Sequence, residues 1–141
     1  FLRIPAIHPI PLKSKQFFSS DFGYRKDPFD RRKKQFHKGH DFSARTGTPV
    51  QATANGIVKK SKYFGSFGNY IEIDHGNGYI TAYGHLSRRN VKVGDRVIRG
   101  QRIGKVGNTG KSTAPHLHYE ISYQKKYRDP SDYYFDVSEH Q

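Results

Sequence analysis

The sequence predicts an all-β fold, an antiparallel sandwich or barrel, and three observations carry that prediction. Fourteen glycines and seven prolines interrupt the chain every few residues. Between them lie short runs rich in β-branched and aromatic residues, and no apolar pattern keeps the 3.6-residue period of a helix. Several runs alternate polar and apolar residues and end at turn signals such as Gly76-Asn77-Gly78. Many short strands with frequent turns are typical of sandwiches and barrels.

The elements follow one another along a single domain. Residues 1–16 are proline-rich and predict an extended N-terminal arm, residues 17–122 the core, and residues 123–141 a C-terminal arm. The charged stretch from Phe22 to Phe36 has no period and predicts a long loop before the first site segment. The clearest strand candidates after it are Gly56–Val58, Tyr70–His75, Tyr79–Tyr83, Val91–Val93, Arg96–Ile98 and Ile103–Val106.

Apolar residues within and beside these runs should form the core, which a chain of this length is large enough to bury. We predict that it consists of Val50, Ile57, Ile71, Ile73, Val93, Val97, Ile103, Val106 and Leu117.

Several kinds of structure are excluded by composition. The chain has no cysteine, so it can form neither a disulfide nor a thiolate metal site. No apolar run approaches the roughly 18 residues of a membrane helix, so no transmembrane segment is predicted. The start is too short and broken for a signal peptide. Because methionine is absent, we expect a processed form or an excised domain, with any targeting segment outside it.

The net charge of +13 indicates an anionic partner. Nucleic acid, an anionic cell-wall polymer and a carboxylate-rich peptide all have the required sign. No recognition helix, zinc finger or RNA-binding aromatic motif is present, so specific nucleic-acid binding is not expected. The basic residues are spread along the chain with one dense knot, residues 31–34. A merely solvated basic surface is the plainer alternative.

Two histidines one residue apart, His116 and His118, carry the strongest chemical signal. The apolar and aromatic residues around them predict a strand, and residues two apart on a strand point to the same face. Both imidazoles would then lie side by side, so one could bind a metal while the other touched what that metal holds. Two unrelated surface histidines are the alternative for this pair taken alone.

A second run, His37-Lys38-Gly39-His40-Asp41, supplies further metal-binding groups. His37 and Asp41 are four apart and share a face on an extended segment or a helix. Two histidines with one carboxylate form a standard catalytic zinc set whose fourth position is open to water. His40 has an odd offset from both, so on an extended segment it points away and is predicted not to be a ligand. A charged surface turn is the alternative.

A third segment, Tyr83-Gly84-His85-Leu86, follows an alternating strand. A lone histidine at a strand end is usually structural, so the case for His85 depends on the residues it would join. His8, His75 and His140 have no comparable context, and we expect none of them at the site.

These segments, taken in order, match a known family over roughly residues 17–122. The chain resembles the M23 zinc peptidases, the lysostaphin-like cell-wall endopeptidases. Each piece alone is weak, but the combined pattern is highly specific. The matching segments are 22–25, 37–44, 47–52, 68–78, 83–86, 93–97 and 107–118.

The resemblance implies an antiparallel β fold of the duplicated hybrid motif type. It implies one zinc ion per chain, held by His37, Asp41 and His118. It also implies that His85 and His116 are two unligated catalytic imidazoles. We favour His116 as the general base because it lies beside the ligand His118, although the sequence leaves the two roles open. His40 departs from the family, in which an apolar residue is commoner at this position.

We therefore expect a zinc metalloendopeptidase that hydrolyses peptidoglycan peptide cross-links. The block Phe22-Gly23-Tyr24-Arg25 resembles members from bacteria with thin, directly cross-linked walls, which favours D-alanyl–diaminopimelate bonds over glycyl bridges. The alternative is a non-catalytic M23-like module that binds the cell wall or activates another wall hydrolase. Such relatives typically lack ligand residues, whereas all five positions are filled here.

The expected activity also predicts the partners, the oligomeric state and the location of the protein. Its expected partners are peptidoglycan peptides and the anionic cell-wall surface, and its expected state is a monomer. Its expected location is extracytoplasmic: the periplasm, the cell envelope or the outside of the cell.

Overall fold

The computed structural model describes residues 2–11, 17–20, 23–26 and 34–134, with side chains for 2–11 and 38–134. These residues contain twelve strands, two short 3-10 turns and no α-helix. The strands are β1 (Phe17–Ser20), β2 (Gly23–Lys26), β3 (Lys34–His37), β4 (His40–Ser43), β5 (Pro49–Gln51), β6 (Gly56–Tyr63), β7 (Asn69–Asp74), β8 (Tyr79–Arg89), β9 (Arg96–Val97), β10 (Arg102–Val106), β11 (His116–Tyr123) and β12 (Lys126–Arg128). The 3-10 turns are Gly65–Phe67 and Pro130–Asp132.

One ten-stranded sheet contains nearly all of these strands. Its main path is β1-β4-β11-β8-β7-β6-β9, with β12 beside β11 and β10 joined to both β5 and β8. Every pairing is antiparallel. The all-β antiparallel prediction is confirmed, and the sheet stays open instead of closing into a barrel. In the described part of the chain, no helix has the length and apolar character that a bilayer crossing requires.

The hydrophobic core lies on the face of the sheet formed by alternate residues of the central strands. Its largest side chains are Tyr83, Tyr119 and Phe42, all fully buried. Seven of the nine predicted core residues are buried: Val50, Ile71, Ile73, Val97, Ile103, Val106 and Leu117.

Two predicted core residues are instead exposed. Ile57 is 46% exposed because its neighbour Val58 takes the inward position on β6. Val93 is 63% exposed because it lies in the turn between β8 and β9. In the sequence, a β-branched residue beside a turn thus looks the same as a buried residue of a strand.

The predicted loop from residue 22 to residue 36 is partly wrong. Strands β2 and β3 pair antiparallel, with Gly23 opposite His37 and Lys26 opposite Lys34. A two-stranded ribbon needs no buried face. Its strands therefore need not alternate polar and apolar residues, and the sequence pattern does not reveal them. Residues 31–33 of the basic knot lie outside the described residues, and Lys34 begins β3.

Residues from both ends of the chain pack on the core. Ala6 and Ile10 are buried, and the backbone N–H of Gln51 donates to the carbonyl of Pro9. Near the other end, Tyr133 and Tyr134 pack against the core cluster.

A hydrogen-bonded network of buried polar groups crosses this core. The Nδ1–H of His75 donates to the carbonyl of Asn55 (2.7 Å), and the neutral ring accepts at Nε2 from the Thr81 hydroxyl (2.8 Å). Thr81 meets the hydroxyl of Tyr83 at 2.8 Å. Thr53 continues the chain from Tyr83 (3.2 Å) to the hydroxyl of Tyr119 (2.7 Å). Because each buried group finds a partner, the network fixes one arrangement of the core.

Candidate metal centre

The candidate site lies on the opposite face of the sheet, where β4, β11 and β8 are neighbours. Asp41 on β4 is directly opposite His118 on β11, and His118 is opposite Gly84 on β8. His118 Nδ1 lies 2.8 Å from Asp41 Oδ1, and His116 Nε2 lies 3.8 Å from the same oxygen. The two imidazoles therefore share a face, as a two-residue spacing on a strand predicts.

Gly39 allows β4 and β11 to approach each other. A Cβ atom at this position would collide with the carbonyl oxygen of Tyr119 and lie 3.0 Å from Cγ of Glu120. Only glycine lacks that atom. The glycine thus permits the close pairing of these strands, in which Asp41 lies opposite His118.

His118 lies between two carboxylates. Its Nδ1 meets Asp41 and its Nε2 meets Oε2 of Glu120, each at 2.8 Å. Burial alone would lower the pKa of His118, but the two carboxylates outweigh it and raise the pKa to about 9. Without a metal, the imidazolium donates to both carboxylates.

His85 has a different electrostatic environment. Its backbone is left-handed (φ 62°), a conformation that costs a non-glycine residue roughly 1–2 kcal/mol. Its Nδ1–H donates to the carbonyl of Thr109 at 2.7 Å, so Nε2 of the neutral ring is an acceptor. Burial, with a smaller effect from nearby His116 and His118, lowers the pKa of His85 to about 4, and the Thr109 carbonyl only partly opposes that shift. The ring is therefore neutral at physiological pH.

His116 is oriented by the loop that precedes β11. Its Nδ1–H donates to the carbonyl of Ala114 at 2.8 Å, with the hydroxyl of Ser112 at 3.1 Å from the same nitrogen. Its Nε2 therefore faces the site as an acceptor in the neutral ring. The rings of His85 and His116 lie 4.6 Å apart between centroids.

Two interlocked loops hold the Thr109 carbonyl in place. The Thr109 hydroxyl donates to the carbonyl of Leu86 (2.7 Å) and accepts from the backbone N–H of Asn69 (3.1 Å). The backbone N–H of Lys111 donates to the carbonyl of Ser66. The adjacent Phe67 ring lies 5.8 Å from the His118 ring and forms one wall of the site.

The structure brings together four of the five predicted site residues: Asp41, His85, His116 and His118. The fifth, His37, ends β3 opposite Gly23, and its side chain lies outside the described ones.

The other histidines are elsewhere. His40 is 2% exposed, and its ring nitrogens face Asp129 (3.4 Å) and the hydroxyl of Tyr134 (3.3 Å), away from His118. His75 belongs to the core network, and His8 stacks on Tyr134. His140 lies outside the described residues.

The sequence analysis assigned no role to Glu120, which contacts His118 directly. The signal was available, because Glu120 continues the two-residue alternation of His116 and His118 along β11. A carboxylate at a third same-face position beside a predicted ligand indicates a contact with that ligand.

The donor chemistry at this site suits zinc. Asp41 Oδ1 and His118 Nδ1 share a proton at 2.8 Å, and a cation replacing that proton would meet one oxygen and one nitrogen, both zinc ligands. Among the side chains that are described, no group of three or more His, Cys, Asp or Glu residues forms a complete metal site. The side chain of His37, the third ligand that the family resemblance implies, lies outside that set.

Comparison with known proteins gives a consistent result. The model of "Peptidase family M23" matches residues 35–130. The peptidoglycan DD-endopeptidase ShyC of Vibrio cholerae is 50% identical over 94 residues, which cover 67% of this chain but only 22% of ShyC. The sequence therefore spans less than a quarter of that relative.

Solved structures of two peptidases are similar to this chain in fold. A zinc-containing peptidase from Vibrio cholerae superposes with a TM-score of 0.79 at 36% identity, covering 86% of this chain and 37% of that one. The catalytic domain of lysostaphin from Staphylococcus simulans gives 0.72 at 34% identity, covering 85% of this chain and 91% of that domain.

Proposed function

Since the chain belongs to peptidase family M23, we propose that it is a zinc-dependent endopeptidase that hydrolyses peptide cross-links of peptidoglycan. The observation that carries the proposal is the meeting of two kinds of group on one sheet face. Asp41 and His118 offer an oxygen and a nitrogen to a metal, and the rings of His85 and His116 lie beside them.

We assign the metal ligands to His37, Asp41 and His118. When bound there, zinc acts as a Lewis acid that polarises the scissile carbonyl and activates water. Asp41 and His118 supply two of the ligand atoms from neighbouring strands. His37 is assigned by its place in the family motif and by its position at the end of β3.

The two imidazoles have different roles in the proposed reaction. His116 is the general base, because its Nε2 is unprotonated in the neutral ring and lies 3.8 Å from the ligand oxygen of Asp41. Having taken the proton, His116 can deliver it to the leaving amine. Neutral His85 accepts a hydrogen bond at Nε2, so it orients an N–H or O–H donor of the reacting groups. Burial keeps the His85 ring neutral even though the Thr109 carbonyl favours its protonated form, so His85 is not a cation that could stabilise an oxyanion.

The substrate is proposed to be the D-alanyl–diaminopimelate cross-link. The relative ShyC is named a DD-endopeptidase, and the block that precedes the site has the character of members from thin-walled bacteria. An enzyme of this kind acts outside the cytoplasm, as a monomer on an anionic wall. The filled catalytic positions favour it over a non-catalytic module that activates another wall hydrolase.

Digestion of defined muropeptides tests the proposal. Zinc-loaded protein should cleave a D-alanyl–diaminopimelate dimer, with fragments identified by mass spectrometry, and a chelator should abolish the cleavage. Glu72→Gln, which leaves the site intact, serves as the control and should cleave normally. Cleavage of a glycyl-bridged substrate alone would overturn the bond assignment, and no cleavage of either would overturn the enzymatic function.

A further inference from the structure

Glu120 is a nearly buried carboxylate that the proposed reaction does not use. We propose that it is a positioning residue, which holds the His118 ring so that Nδ1 faces the metal and thereby strengthens zinc binding. This inference rests on the proposed function. It concerns a residue that neither binds the metal nor touches the substrate in that proposal.

The contact between the two side chains determines which nitrogen of His118 can bind a metal. Glu120 Oε2 lies 2.8 Å from His118 Nε2, and the Glu120 side chain is only 8% exposed. An ionised carboxylate only accepts hydrogen bonds, so Nε2 must carry the hydrogen. Nδ1, which faces Asp41, is then the nitrogen that can lose its proton to a metal. Carboxylates commonly act in this way on metal-bound histidines.

The backbone around Glu120 keeps its carboxylate in this position. Glu120 lies opposite Ala82 on β8, whose small side chain leaves space over the sheet. From the β4 side, the α-carbon of Gly39 packs so closely that an added Cβ would be 3.0 Å from Cγ of Glu120. The stem of Glu120 is thus confined between neighbouring strands, and its carboxylate is directed along β11 to His118.

A second carboxylate on the same face provides a matched control. Glu72 on β7 is also opposite Ala82, and its side chain is 13% exposed. Its partners are different: it accepts from the hydroxyl of Tyr70 at 2.9 Å and pairs with Lys59 and Lys60 at 3.8 and 3.9 Å. Glu72→Gln therefore removes the same charge from the same sheet face without altering the His118 contact.

The test is the zinc affinity of four proteins: wild type, Glu120→Ala, Glu120→Gln and Glu72→Gln. Affinity is measured by competition with a chromogenic chelator, after thermal unfolding has verified that each protein is folded. Glu120→Ala should bind zinc about 10–100-fold more weakly, the range typical of such outer contacts. Glu120→Gln should fall between it and wild type, because the amide oxygen still accepts from Nε2–H. Glu72→Gln should match wild type.

The visible spectrum of the cobalt(II)-substituted proteins is a second readout that does not depend on activity. It should change in Glu120→Ala and stay nearer to wild type in Glu120→Gln, because it reports the ligand geometry. Equal zinc affinity and equal spectra in Glu120→Ala and Glu72→Gln would overturn the role of Glu120 alone and leave the proposed metal centre standing. A wild type that binds no zinc would overturn both.

Discussion

At the scale of single residues, the roles of His85 and His116 in catalysis can be separated from metal binding by the ligands. His85→Ala and His116→Ala should each retain zinc, because neither belongs to the proposed ligand set. His116→Ala should lose turnover by about 10²- to 10⁴-fold, as expected for a general acid–base group, and His85→Ala should also lower turnover because the reacting donor is no longer oriented. Muropeptide kinetics together with zinc content measure the two properties. Full activity of His116→Ala would exclude it as the base.

The buried His75 should make stability depend on pH. Burial lowers the pKa of His75 below its ordinary 6.5, although the Asn55 carbonyl and Asp74 partly oppose that shift. Below pH 6.5 the unfolded chain therefore takes up a proton that the folded protein refuses. The free energy of unfolding should fall as pH decreases from 6.5 towards the folded pKa, by up to about 1.4 kcal/mol per pH unit.

Replacing His75 by glutamine isolates this contribution. Urea unfolding at pH 7.5 and pH 5.5 should show a larger loss of stability in wild type than in His75→Gln. At pH 7.5 the variant should itself be about 1–3 kcal/mol less stable, because the contacts with Asn55 and Thr81 are disrupted. An identical pH dependence in the two proteins would contradict a neutral, buried His75.

At the scale of elements, the loop that contains Thr109 should control turnover through His85. A Cβ atom on Gly110 would collide with the backbone of Ser66 and Gly68 and displace the Thr109 carbonyl. Gly110→Ala should therefore lower kcat while zinc remains bound. Gly100→Ala is the matched control, because Gly100 also has a positive φ but nothing lies within 4 Å of an added Cβ.

Gly100→Ala should lose about 1–2 kcal/mol of stability, the cost of a left-handed alanine, and Gly110→Ala should lose more because of the backbone collision. Only Gly110→Ala should lose turnover. Equal kcat values for the two variants would contradict the claim that the Thr109 loop controls turnover through His85.

The sequence predicted elements well where one face is buried. Alternation identified β7, β8 and β10, since every second residue of such a strand must be apolar. It missed β2 and β3, which form a two-stranded ribbon, and it misplaced Ile57 and Val93, which border turns.

The site was predictable where the relevant contacts follow from short spacings. The two-residue spacing of His116 and His118 predicted that both side chains share one face of a strand. The Thr109 carbonyl could not be predicted as the partner of His85. A backbone carbonyl carries no residue-type signal, and that contact joins residues 24 apart in the chain.

At the scale of the whole molecule, charge is distributed unevenly. Residues 88–111 carry one acidic residue, Asp95, and a larger set of basic ones: Arg88, Arg89, Lys92, Arg96, Arg99, Arg102, Lys105 and Lys111. Exposed charges of this kind are screened over about 8–10 Å near physiological salt. Binding to insoluble peptidoglycan should therefore weaken as salt rises, which a sedimentation series measures.

The basic knot at residues 31–34 should contribute more to wall binding than basic residues elsewhere. It ends three residues before His37 in the sequence. Replacing all four residues by serine should reduce binding to sacculi but leave cleavage of a short soluble muropeptide unchanged. Serine at Arg88, Arg96, Arg102 and Lys105, all exposed, is the control and removes the same number of charges. Equal sacculus binding by the two variants would show that the knot is only a solvated surface.

The central claim is that one zinc ion is held by His37, Asp41 and His118. The most direct measurement is the zinc content of purified wild type and of four variants, by elemental mass spectrometry on folded protein. We predict about one zinc per chain in wild type, loss of zinc in His37→Ala, Asp41→Ala and His118→Ala, and retention in His40→Ala. Zinc lost from the His40 variant but retained in the His37 variant would contradict the account.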